Sequence, residues 1–194
     1  MGIGLKIHHK TLILILVSML TSFVYASVFT YNPLTINISP VAPPIIFKYG
    51  ANAGKADLRG TTITVSIGNA STSLTLTLHP TYQEVYYKDV ARINNTDTNV
   101  YYVMIRVERS LTNTKITNAT LYLYDVSTNK TMLKVNLLTT ESTNWFPMNG
   151  KAEWRIDVVI KIDETGGSYN TAPFTSDSAR LKLIYSTQNI ENPP

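Results

Sequence analysis

Cysteine is absent from all 194 residues of the chain, and histidine occurs only three times. The first absence excludes disulfide bonds and thiolate nucleophiles. With so few imidazoles, it also leaves no ligand set for a zinc site. Charge is sparse too: Asp, Glu, Lys and Arg make up 15% of the chain, with a formal net charge of +4. Setting aside Lys6 and Lys10 near the N-terminus brings the 17 basic residues close to balance with the 13 acidic ones. A balance so weak and scattered excludes a nucleic-acid footprint. Catalytic spacings are missing as well. There is no H-E-x-x-H, no G-x-S-x-G elbow and no phosphate-binding glycine loop.

The isolated reactive residues read as structural. His79 is the one histidine beyond the N-terminal region and precedes Pro80, which marks a strand end. Asp163 and Glu164 are adjacent, so on a strand they would point to opposite faces. That suits a solvated turn better than a glycosidase pair. The sequence therefore predicts no enzyme, cofactor or metal.

Long apolar runs are confined to one place. "TLILILVSMLTSFVY" follows Lys6 and Lys10, and "VYA" before Ser27 offers the small residue that signal peptidase prefers. The run falls short of the ~20 residues of a spanning helix. Residues 1–26 therefore read as a secretory signal peptide, with the mature chain secreted and free of the membrane after cleavage. An uncleaved anchor is the alternative, since about 17 apolar residues reach across a thin bilayer.

From residue 27 onward strand patterns dominate, and no convincing amphipathic helix occurs. "TTITVSI" and "SLTLTLH" alternate around "GNAST" as a hairpin, and "TLYLYDV" and "MLKVNLL" do so around "STNK". "EVYYKDVARI" has a mixed pattern. "NVYYVMIRVE" sets Tyr101, Val103, Ile105 and Val107 against Tyr102, Met104, Arg106 and Glu108. "AEWRIDVVIKI" turns Trp154, Ile156, Val158, Ile160 and Ile162 inward, and "ARLKLIY" does the same with Leu181, Leu183 and Tyr185. Tyr102, Tyr122 and Tyr124 fall on outer faces. Eight or nine strands counted from Ile45, without crossover helices, predict an all-β, antiparallel β-sandwich over residues 45–188, with 189–194 as a tail.

Residues 27–44 stand apart. In "PLTINISPVAPPIIF", Leu34, Ile36 and Ile38 alternate with Thr35, Asn37 and Ser39, and Pro40, Pro43 and Pro44 prevent a tight hairpin with the strand pattern that begins at Ile45. Such an arm is either the first edge strand of its own domain or a strand added to another subunit's sheet. Asn-x-Ser/Thr sequons at Asn37, Asn69, Asn94, Asn118 and Asn129 fit an extracellular chain. Asn69, Asn94 and Asn129 are expected in loops.

The order of signal peptide, short arm, "APPIIF", "YYKDVARINNTDTNVYYVMIRV" and a Trp-bearing strand resembles the archaeal bundling pili and thread filaments. More distantly, the chain resembles TasA-like biofilm-matrix fibre proteins. The resemblance implies a single jelly-roll-like sandwich with an extended N-terminal donor-strand arm. Carried over by position, the donor is about Val28 to Ser39, with Val28, Leu34, Ile36 and Ile38 as its apolar contacts. It implies a structural subunit of an extracellular, cell-surface filament, polymerised head-to-tail with neighbouring copies and serving adhesion or biofilm formation. Further partners would be cell-surface glycans or other filaments. The competing reading is a monomeric, secreted, lectin-like binding module with the same fold.

Overall fold

A computed structural model describes residues 8–24, 30–168 and 170–189. The chain divides into two compact units, Met1–Pro40 and Val41–Pro194. In the first, the Leu- and Ile-rich run forms helix α1 (His9–Val24). No helix among the described residues is long and apolar enough to cross a membrane. Residues 30–43 form neither helix nor strand. The expected cleavage point before Ser27, the donor residue Val28 and positions 190–194 of the expected tail lie outside the described residues.

The second unit is built of β1 (Ile45–Tyr49), β2 (Thr64–Ile67), β3 (Leu74–Thr77), β4 (Gln83–Asn95), β5 (Tyr101–Arg109), β6 (Ile116–Asp125), β7 (Thr131–Asn136), β8 (Phe146–Met148), β9 (Glu153–Ile162) and β10 (Arg180–Ser186). They form a five-stranded sheet in the order β1-β4-β9-β6-β7, a three-stranded sheet β10-β5-β8 and the hairpin β2-β3. Every strand pair is antiparallel. The domain is thus mostly β and sandwich-like, as the alternation predicts.

Inward residues meet in rows across the five-stranded sheet. One row runs Ala91, Ile156, Leu123, Leu133; the next runs Tyr87, Val158, Leu121, Val135. They share a single apolar core with Val103, Ile105, Val107 and Met148 of the three-stranded sheet. Two sheets that bury their apolar faces in one cluster are held by that burial, worth roughly 1.5–3 kcal/mol for each large side chain. Trp154, near the start of β9, is 1% exposed, with Phe146 edge-on at 6.2 Å. The inward set predicted for β9 holds.

The mixed pattern of "EVYYKDVARI" has a local cause. Between Tyr87 and Ala91 the ladder advances four residues on β4 against two on β9, so residues 88–90 bulge. Asp89 takes a left-handed φ of 48° there. Gly50 closes on the bulge: a Cβ at that position would lie 2.0 Å from the Asp89 carbonyl oxygen, so only glycine fits.

Other expectations need correction. Met104 keeps to the face of β5 opposite Val103 and Ile105, as expected, but it is buried there beside Ile184 of β10. Tyr185 is 38% exposed because β10 is an edge strand, although it packs edge-on against Tyr101 at 6.1 Å. Strand β8, with Pro147 at its centre, has no alternation to betray it. Asn94 is not in a loop. It lies within β4, opposite Ile46 on one side and Glu153 on the other. The turn begins after Asn95, whose buried amide donates to the carbonyls of Asn99, Met148 and Asn149.

Candidate functional site

Leu34, Ile36 and Ile38 are 83%, 73% and 87% exposed. They lie in the segment without secondary structure, and none of the sheets includes them. Three alternating apolar side chains left in water are unusual on a folded chain, where large apolar groups are mostly withdrawn. Thr35, Asn37 and Ser39 are exposed as well.

The sandwich, for its part, has open strand edges. In the five-stranded sheet the edge strands are β1 and β7, and in the three-stranded sheet β10 and β8. Edge strands carry a row of unused backbone groups that another strand can pair with. They are not equivalent. β8 spans three residues, and Pro147 lacks an N–H. β1 spans five and follows Pro43 and Pro44. β10 spans seven residues without proline, and its inward Leu181 and Leu183 are only half-buried against the core. The apolar residues of the β2-β3 hairpin, Val65, Leu74 and Leu76, are half-buried too.

The outer face of the five-stranded sheet carries a polar network. Asp157 on β9 has no exposed surface. Its Oδ1 accepts from Arg155 Nε at 2.9 Å and from the Asp89 backbone N–H at 2.7 Å. Its Oδ2 accepts from Arg155 Nη2 at 3.0 Å and from the Tyr86 hydroxyl. Burial, with the hydrogen bond to Asp157 next, pushes the Tyr86 phenol well above its ordinary range. Arg92 grips Asp89 with two bonds, at 2.9 and 2.6 Å, and reaches Glu153 at 3.3 Å. Burial works to raise the Asp89 carboxyl, but the bonds from Arg92 and the Ala51 backbone outweigh it and hold the group below its ordinary value. Beside this network Tyr122 and Tyr124 stack at 6.0 Å, with Lys134 beyond Tyr122 at 5.8 Å and Arg155 beyond Tyr124 at 4.8 Å. This column consolidates the sheet face.

His79 and Asp163 each sit in a local hydrogen-bonded arrangement. His79 Nδ1 sits 3.0 Å from the carboxylate of Asp57, which also accepts the backbone N–H groups of Leu58 and His79. This clip joins the segments that flank the β2-β3 hairpin. Asp163 accepts from the Thr165 backbone and hydroxyl in a turn beyond β9. Among the described residues no group of three His, Cys, Asp or Glu side chains gathers to hold a metal.

The sequons differ in setting. Asn37 is exposed in the arm, Asn69 is exposed in the β2-β3 turn, and Asn129 is exposed in the β6-β7 turn. Asn94 and Asn118 lie inside strands. The Asn118 amide oxygen accepts from the hydroxyl of Thr120, its own sequon partner, which is 4% exposed.

The turn after β4 supplies a pH-dependent element. Asp97 accepts from the Tyr101 hydroxyl at 2.8 Å, from the Thr98 backbone at 2.6 Å and from the Asn99 amide at 3.1 Å. The Tyr101 bond leads in holding its pKa down, from 3.8 to about 2. A depressed carboxyl stabilises the fold above its unfolded value and loses that contribution as pH falls through the folded one. The turn should therefore stay intact to pH 3.8 and loosen only as pH approaches about 2. An NMR titration of the Asp97 carboxyl should give that low midpoint, and Tyr101→Phe should raise it. A wild-type midpoint near 3.8 would contradict the assignment.

No protein-family model matches the chain, and a search of curated proteins finds no match.

Proposed function

We propose that the protein is the structural subunit of an extracellular filament, polymerised head-to-tail when the arm of one copy adds as a strand to the sheet of the next. The observation that carries this reading is the exposure of Leu34, Ile36 and Ile38 on one alternating segment. Main-chain hydrogen bonds give such an added strand its affinity, and alternate side chains set its register. A contact between two different surfaces of the same chain does not close on itself, so an open filament results. The domain is read as jelly-roll-like, with residues 27–44 as arm and hinge.

The acceptor in this reading is the free edge of β10. A sheet of three strands faces one of five, and the half-buried Leu181 and Leu183 stand at its open side. The seven residues of β10 match the length of the alternating segment from Pro33 to Ser39. Burying Leu34, Ile36 and Ile38 there stabilises the contact by about 5–9 kcal/mol gross. Ordering the arm offsets part of this. The lectin-like alternative has less support from Tyr122 and Tyr124, which are half-buried, stack on one another and carry Lys134 and Arg155 over their rings.

Shearing filaments from the cell surface, imaging them and sequencing their subunit tests the reading. The expected subunit is this chain with its N-terminus at or near Ser27. Filaments without this chain would overturn the proposal, and a retained Lys6–Tyr25 segment would overturn the cleavage step.

A further inference from the structure

We propose that Asn129 is an N-glycosylation site of the folded domain and that its sugar shields the open edge of β7. This rests on the extracellular part of the proposed function, not on the donor arm. Asn129 is exposed at the β6-β7 turn with a left-handed φ of 55°, a conformation that Asn tolerates better than most residues. Arg155 Nη1 lies 3.1 Å from its side-chain oxygen. A guanidinium only donates, so the atom facing it must be Oδ1, and Nδ2 is left pointing elsewhere. Arg155 is itself fixed by its two bonds to the fully buried Asp157 and by its seat 4.8 Å from the Tyr124 ring centroid. The side chain is thus held through its oxygen, while the nitrogen that carries a sugar is left unengaged among the described residues. The same bond persists after modification.

The setting supplies the purpose. Thr131, the hydroxyl residue of the sequon, opens β7, the edge strand of the five-stranded sheet. β7 has six residues and no proline, so its open edge can pair with the same edge of another copy. A bulky hydrophilic group at its start blocks that pairing, as charges and bulges do on other edges. Asn118 offers no such site, because its sequon threonine is buried and engaged.

Transfer uses a sugar activated as a lipid-linked phosphate ester, delivered by a glycosyltransferase. Nδ2 of Asn129 bonds to the anomeric carbon as the bond from that carbon to the ester oxygen breaks. The phosphate leaves with the electron pair, and the amide proton passes to a base of the transferase.

The test is glycopeptide mass spectrometry of the full chain made in a glycosylating host, followed by sedimentation. Asn129 should be occupied in most molecules and Asn118 bare. A bare Asn129, or equal occupancy of Asn118, overturns the site on the folded domain. Sedimentation then compares the glycosylated protein with Asn129→Gln, both carrying Ile36→Asp and Ile38→Asp to silence the arm. The Asn129→Gln protein should self-associate about fivefold more through its uncovered edge, and equal sedimentation overturns the shielding role. Polymerisation of the arm-silenced protein while Asn129 is glycosylated would instead count against the donor arm, which keeps the two failures apart.

Discussion

Changing Ile36 and Ile38 together to Asp should abolish filaments while leaving the sandwich folded and soluble. The two side chains are 73% and 87% exposed, and the sheets do not include them, so the substitution removes nothing from the core. In the assembled state the same positions would face the apolar inner side of a neighbour's sheet. Placing an unpaired carboxylate there costs several kcal/mol after relaxation, and two such costs match the whole gross gain of the arm. Electron microscopy should find no polymer, and circular dichroism should find the β signal intact. A peptide spanning Val28 to Ser39 should bind the mutant, because its acceptor edge stays open. Thr35→Asp, on the other face of the arm, should be mild. If the double mutant polymerises as well as the wild type, or fails to fold even with the peptide present, the arm belongs to its own domain.

A second large effect is expected far from the arm. Asp157→Ala should lower the unfolding free energy by about 3–5 kcal/mol, the range for breaking a buried pair by removing one partner. The carboxylate has no exposed surface and accepts two bonds from Arg155, one from the Asp89 backbone and one from Tyr86. Its loss strands a mostly buried guanidinium and leaves the bulge of β4 without its tie to β9. Asp157→Asn keeps one oxygen that can accept from the Asp89 backbone N–H and an NH2 that can donate to the Tyr86 oxygen, and should cost less. Urea denaturation of the arm-silenced monomer gives both values. A loss below about 1 kcal/mol for the alanine variant would mean that the network is no stronger than a surface ion pair.

Sequence legibility followed the physics of alternation. Strand β9 was plain, because five inward apolar residues repeat with period two, four of them buried and Ile160 half-buried. Both hairpins were legible for the same reason. The pattern failed where the ladder itself is irregular. In β4 the residues at 88–90 leave the register, and in β8 Pro147 sits in a strand only three residues long. Asn94 looked like loop sequence because Asn is rare in strands, yet Ile46 and Glu153 pair it on both sides. The outer-face network was invisible for a different reason. Arg155 and Asp157 occupy alternate positions that read as solvent-facing. Only the pairing of β9 with β4 and β6 brings Tyr86, Asp89 and Tyr124 around them. The arm could be read as a strand without a partner, but no spacing in the sequence singles out β10. The proposed pairing with β10 rests on the strand order and the half-buried state of Leu181 and Leu183.

Because the chain has no cysteine, engineered thiols report a single contact without background. One copy carries Thr35→Cys or Asn37→Cys on the outward side of the arm. A second copy carries Lys182→Cys on the outward side of β10, or Lys134→Cys on β7 as the comparison. After co-assembly and mild oxidation, the arm cysteine should form a disulfide-linked dimer with the Lys182→Cys chain and none with the Lys134→Cys chain. Linkage to Lys134→Cys in its place, or no linkage to either strand, would contradict the addition of the arm to the β10 edge of a neighbouring copy.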